Sequence, residues 1–239
     1  MTRTAFSAVT ALCVTLGCAL VIDSATASID STYRLLRFDG QHVKWGEAEL
    51  GAGAKVKYAF VDAPRQFAGA RNCGVLVPIE RLAIRHGISQ ATLQAEAAAA
   101  FRVWEQAANI TFVPIDEPDR ADILIGAQGH PAGRAYANVE YQSAGNDGVS
   151  VIDRAQICLN PYHGWKVGFD GNVDVYDIRY TLVHEIGHAI GLDHAGPSGQ
   201  VMSFRYTEQF SDLQPGDLRG VQKLYGVSTQ SMTADSAAD

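Results

Sequence analysis

Apolar positions recur along this chain with two different periods, and the changes of period mark out its elements. Val56, Tyr58 and Phe60 alternate with polar neighbours between the glycine-rich Gly51-Ala52-Gly53 and Pro64, the period of two expected of a half-buried strand. Beyond Ser89 the period lengthens. Leu93, Ala97, Phe101, Trp104 and Ala108 return at spacings of four and three, which predicts one long helix from Gln90 to Asn109, capped by Ser89 and carrying Trp104 in its buried stripe. Three short apolar segments follow, Ile110 to Ile115, Asp122 to Ala127 and Arg134 to Val139, each bounded by Asp, Pro or Gly. They read as strands of one sheet, and Val149 to Leu159 reads as a fifth segment that ends before Pro161. Pro114 either ends its strand or lies at an edge. The pattern leaves the strand order open.

Composition narrows the class. The chain has 239 residues, 47% apolar and 19% charged, enough to bury the core of one domain and unlike a disordered or fibrous chain. Nineteen Lys and Arg against 26 Asp and Glu give a net charge of −7, which supplies no pull toward nucleic acid. Arg3 precedes an apolar run from Ala5 to Ile22 and then Ala25-Thr26-Ala27, so residues 1–27 are expected to be a cleaved secretory signal. Ser7, Thr10, Thr15, Gly17 and Cys18 interrupt that run, so stable membrane insertion is not expected. Leu16-Gly17-Cys18 resembles half of a lipobox, which leaves lipid anchoring or a periplasmic location as lesser alternatives to full secretion. Residues 28–227 read as one domain without repeat or linker, and 228–239 as a disordered tail with almost nothing to bury. Behind the signal two cysteines remain, Cys73 and Cys158; in an oxidising compartment a disulfide is favoured over two free thiols.

The residues that carry chemistry lie together in His184-Glu185-Ile186-Gly187-His188-Ala189-Ile190-Gly191-Leu192-Asp193-His194. Asp174 or Asp177 can cap a helix running through Ile190, and residues four apart share a helix face, so His184 and His188 project side by side toward one metal ion. Gly191 falls where that helix should stop, because glycine takes a left-handed turn without penalty. The turn can bring His194 back as a third nitrogen ligand. A fourth position is then open for water, as in catalytic rather than structural zinc sites. Glu185 lies about 100° round the helix from the first ligand, placed to reach that water without displacing an imidazole.

This stretch resembles the metzincin signature H-E-x-x-H-x-x-G-x-x-H, and Gly187 narrows the likeness to the matrixins, relatives of the matrix metalloproteinase catalytic domain. Trp104-Glu105 with Ile110-Thr111-Phe112, Ala121-Asp122-Ile123 and the ending Gly220 to Gly226 look like further matrixin landmarks, and Tyr176-Asp177-Ile178-Arg179 resembles secreted bacterial-type members. The likeness spans most of residues 33–226. It implies an α+β fold: a twisted mixed sheet of about five strands with a long helix, an active-site helix and a C-terminal helix. Met202, eight residues after His194, would form a platform under the metal rather than a ligand. Phe204 stands where the family has a proline, while Tyr206 fits the aromatic wall of the pocket for the substrate side chain after the scissile bond.

The implied activity is that of a secreted zinc-dependent endopeptidase, expected as a monomer acting on proteins or peptides. Zinc on His184, His188 and His194 would lower the pKa of a bound water toward 7, and Glu185 would take its proton and pass it to the leaving amine. The substrate would lie extended against an edge strand resembling Ala135 to Val139. The competing reading is a non-catalytic zinc- or protein-binding module, which has no need of Glu185; hydrolysis of a non-peptide bond on the same scaffold is a further one. Few residues separate Ala27 from the apparent domain start at Tyr33, so no inhibitory cysteine-bearing pro-segment is expected. Arg71-Asn72-Cys73-Gly74 imitates such a switch but lies inside the domain, and the disulfide reading ranks above a zinc-bound Cys73 thiolate. Family members often carry a structural zinc and calcium, for which His130, His163 and the oxygen-rich Asp170-Gly171-Asn172-Val173-Asp174 are thin candidates. A capped helix start explains the last of these better than calcium does.

Overall fold

The computed structural model describes residues 33–142 and 148–228. The expected signal segment and nearly all of the expected tail lie outside the described residues. The five expected strands are present and form one mixed sheet. Ala54–Phe60 runs parallel to Ile110–Pro114 on one side and to Ile123–Gln128 on the other. Ile123–Gln128 is in turn parallel to Val149–Leu159, and Ala135–Tyr141 closes that flank antiparallel. Pro114 meets both expectations at once, since it ends its strand and that strand pairs on one side only. Short additions extend the sheet: Gln41–Lys44 pairs with the start of Val149–Leu159, and Val75–Val77 with the end of Ile123–Gln128.

Alternation decides which face each strand residue covers. Ile123, Ile125, Ile157 and Leu159 look into the large core, while Leu124 and Cys158 look into a smaller cluster with Val61, Leu76 and Cys73. The helices line up on the large-core side. They are α1 (Glu80–His86), the long α2 (Gln90–Ala107), the active-site helix α3 (Ile178–Ala189) and the C-terminal α4 (Pro215–Tyr225). The Ser89 hydroxyl accepts from the Thr92 amide at 3.0 Å, the cap expected for α2.

Two polar links lock α3 onto α2. The Trp104 indole donates to the Val183 carbonyl at 2.9 Å, and Arg179 grips Glu96 through two nitrogens at 2.6 and 3.0 Å. Trp104 is fully buried, as the core reading requires. Opposite Cys73, the Cys158 sulfur completes a disulfide across 85 positions of sequence, tying the loop before Val75–Val77 to the sheet.

Candidate active site

Asp177, not Asp174, caps α3. Its carboxylate accepts from the Tyr180 amide at 2.7 Å and from the Gly168 amide at 2.7 Å. The far end of α3 is buried, so its last carbonyls need donors. The Trp45 indole reaches the Ala189 carbonyl at 2.9 Å and the Tyr225 hydroxyl reaches the Ile190 carbonyl at 2.7 Å. The chain then turns at Gly191, whose φ is +103°, and a Cβ there would overlap the Val43 carbonyl oxygen. Glycine is required both by conformation and by space. Beyond it, Leu192–Asp193 pairs antiparallel with Arg34–Leu35, which fixes the position of His194.

The three expected histidines converge. His194 Nε2 lies 3.2 Å from Nε2 of His184 and 3.2 Å from Nε2 of His188. Among the described residues they form the one cluster able to offer three ligand atoms to a common ion. Their tautomers follow from the carbonyls behind them. His184 Nδ1 lies 2.7 Å from the Val201 carbonyl and His188 Nδ1 lies 2.8 Å from that of Leu192; a carbonyl only accepts, so each Nδ1 carries the hydrogen. Both Nε2 atoms therefore present bare lone pairs toward His194, available to a common cation. Burial also holds all three imidazoles neutral, with His184 well below the ordinary value, His188 lowered, and His194 pushed down to about 4. Neutral nitrogen donors at this spacing fit zinc.

Glu185 is buried beside them, in a cleft of about 840 Å³ that it shares with the three histidines. Burial pushes its carboxyl up to about 8, against the opposing pull of Arg134 and the Ala137 amide. A cation on the imidazoles would favour the ionised form again. One wall of the cleft is the edge of Ala135–Tyr141, the strand expected to receive substrate, which among the described residues pairs with another strand on its far side only.

Met202 sits beneath the cluster, where the absence of a Cβ on Gly187 leaves room for its sulfur. Its turn is fastened by Asp217, which accepts from the Val201 and Met202 amides at 2.9 and 3.1 Å and from the Gln214 amide at 2.9 Å. One carboxylate thus caps α4 and positions the Val201 carbonyl that orients His184. Sequence reasoning missed Asp217, although a carboxylate at the third position after Gln214 and Pro215 is the signal of a capping box. Phe204 lines the cleft with its ring 4.0 Å from that of His194, while Tyr206 stands behind, its hydroxyl accepting from the Asp177 amide and donating to Glu208.

The other metal candidates do not assemble. His130 is exposed, and the His163 ring packs edge-on against Tyr176. In the oxygen-rich loop the centre is taken by the Lys166 ammonium, which bonds Asp170, the Asn172 carbonyl at 2.8 Å and Glu208 at 2.5 Å. Of the acidic groups that would draw calcium, Asp170 and Glu208 already share the charge of a side chain. With Cys73 bridged to Cys158, its sulfur is not free to act as a thiolate ligand.

Comparison with known proteins agrees with this geometry. The chain is 28% identical to human stromelysin-3 over 151 residues, 59% of this chain and 29% of that protein. It is 30% identical to human matrix metalloproteinase-15 over 146 residues, 53% and 21% of the two chains, and 30% identical to metalloendoproteinase 1-MMP of Arabidopsis thaliana over 138 residues, 53% and 36%. The matches thus span only about a fifth to a third of the length of these relatives. The family model described as matrixin matches residues 81–226, well over half of the chain and inclusive of every histidine and glycine of the site, and the protein belongs to the matrixin family of zinc metalloendopeptidases.

Proposed function

We propose that this protein is an exported, zinc-dependent endopeptidase in which His184, His188 and His194 hold the metal and Glu185 is the general base. The observation that carries the reading is the convergence of His184 and His188 Nε2 on that of His194, 3.2 Å from each, with the Nδ1 hydrogens of His184 and His188 committed to carbonyls behind them. Zinc bound there would polarise the scissile carbonyl and bring a water's pKa toward 7. The chain's own residues supply the rest. Glu185 takes the proton from the attacking water and hands it to the leaving amine. The free edge of Ala135–Tyr141 receives the substrate backbone as an added strand, which orients the scissile bond across the cleft. Neutral ligands leave the site net positive, which favours the negative charge developing on the carbonyl oxygen.

Export accords with the Cys73–Cys158 bridge, which requires an oxidising compartment, and with the character of residues 1–27. No described helix is long and apolar enough to cross a membrane. We take the working form to be a monomer.

The test replaces Glu185 by Gln in the mature protein. The variant is expected to bind one zinc per chain, measured by elemental analysis, while hydrolysis of a denatured protein substrate falls by about a hundredfold or more. Parental cleavage by that variant would overturn the mechanism. A parental protein that binds zinc but cleaves nothing would favour the binding-module reading instead.

A further inference from the structure

The cleft of this acidic protein is lined by guanidinium groups. Arg37, Arg71 and Arg134 all border it, in a chain whose net charge is −7. The carboxylates on the same walls are engaged elsewhere or belong to the reaction: Asp193 is paired with Arg34 at 3.0 Å, Glu140 accepts from Gln156 at 2.7 Å, and Glu185 is the base. Among the described residues, none of the three arginines lies within ion-pairing distance of a carboxylate.

Arg134 is the best prepared of the three. It is half-buried at the head of the edge strand, and its own carbonyl is fixed by the Asn160 amide at 2.8 Å. Its guanidinium carbon lies 4.5 Å from the centre of the Tyr176 ring and 5.9 Å from that of Tyr206. Tyr206 is itself pinned through its hydroxyl, so the stacked fork is held in place before any ligand arrives. The side chain's donors make no hydrogen bond to any described residue. A planar, partly desolvated, unpaired guanidinium in a substrate cleft is a preformed receptor for a carboxylate.

We propose that Arg134 makes the cleft selective for peptides that place a carboxylate next to the scissile bond, so that cuts fall beside aspartate or glutamate. The proposal rests on the peptidase reading above. Nothing in the sequence pattern pointed to it, because Arg134 there is only the polar residue that opens a strand.

The experiment uses zinc-loaded mature protein and matched peptides with Glu, Gln, Leu or Lys beside a single cut, each made with a free and with an amidated C-terminus. We expect the Glu peptide to exceed its Gln counterpart about tenfold in kcat/KM, the factor a single charge-assisted hydrogen bond can support. Preference for Glu over Gln in the amidated set assigns the recognition to the side chain; a gain from the free C-terminus that is equal for Glu and Gln assigns it to the chain end and overturns the proposal. In Arg134→Gln the ratio should fall to about one, and in Arg134→Glu the Lys peptide should overtake the Glu peptide. Each ratio is taken within one preparation, so partial loss of folded protein does not affect it. As a second readout, Glu185→Gln protein should bind the Glu peptide more tightly than the Gln peptide, and should lose that difference when Arg134→Gln is added. Equal rates for Glu and Gln peptides, or a preference that survives Arg134→Gln, would overturn the proposal. Failure to cut any peptide would strike the peptidase reading itself.

Discussion

Gly191 and Gly187 hold the site in shape by having no side chain, one beside the Val43 carbonyl and the other above the Met202 sulfur. The two neighbours differ in how far they can give way. A backbone carbonyl inside a paired strand cannot move aside, whereas the end of a methionine can, though the buried Trp104 ring also stands 2.9 Å from the place of a Gly187 Cβ. Gly191→Ala is therefore expected to destabilise the fold by about 3 kcal/mol or more, adding steric overlap to the strain of a positive φ. Gly40→Ala is the control, with φ of +80° but nothing within 4 Å of the added carbon, and should cost only about 1 kcal/mol. Urea unfolding of the two variants measures the difference, and equal losses would contradict the packing argument. Residues of this kind were legible in the sequence because the chemistry there is written in spacing: histidines four apart, a glycine three further on, a last histidine after the turn. Arg134, Lys166 and Asp217 were not, since each works with partners distant along the chain, such as Tyr206 for Arg134, Glu208 for Lys166 and Val201 for Asp217.

At the scale of elements, the long helix, the active-site helix and the five main strands could be read from period and punctuation, and Val149–Leu159 has the predicted bounds. What escaped were pieces too short to show a period, such as Val75–Val77, Gln41–Lys44 and the single-turn pairings around Leu192–Asp193. The last of these returns His194 to the cleft and lines it through Asp193. The loop between Trp165–Lys166 and α3 illustrates another limit. Its composition suggests a calcium loop, yet Lys166 occupies the middle with its side chain only 12% exposed. Calcium added to the parental protein should accordingly leave its melting temperature unchanged. Lys166→Ala, which returns the charges of Asp170 and Glu208 to the loop, should lose stability and regain part of it on addition of calcium at about millimolar concentration. A parental protein whose melting temperature rises with calcium would contradict this assignment.

For the molecule as a whole, the disulfide and the buried ionisable groups set the conditions under which the fold is stable. The Cys73–Cys158 bridge closes a loop of 85 positions, a constraint on the unfolded chain worth about 4.5 kcal/mol on a chain-entropy estimate, and it anchors the cleft wall that carries Arg71. The metal-free site works against the fold at alkaline pH. Glu185 rises from an ordinary 4.5 to about 8, so between those values the folded chain holds a proton that the unfolded chain has released, and stability falls as pH rises. The loss approaches about 1.4 kcal/mol for each pH unit inside that window. Comparison of metal-free parental and Glu185→Gln proteins by thermal melting should show the parental protein losing ground steadily from pH 4.5 to 8, and parallel curves would refute the burial argument. The central claim is narrower and can be met directly by X-ray absorption at the zinc edge of the metal-loaded protein. Three imidazole nitrogens at about 2.0–2.1 Å with one oxygen completing the shell is the predicted result. A shell with fewer than three imidazoles, or with sulfur among the ligands, would contradict it.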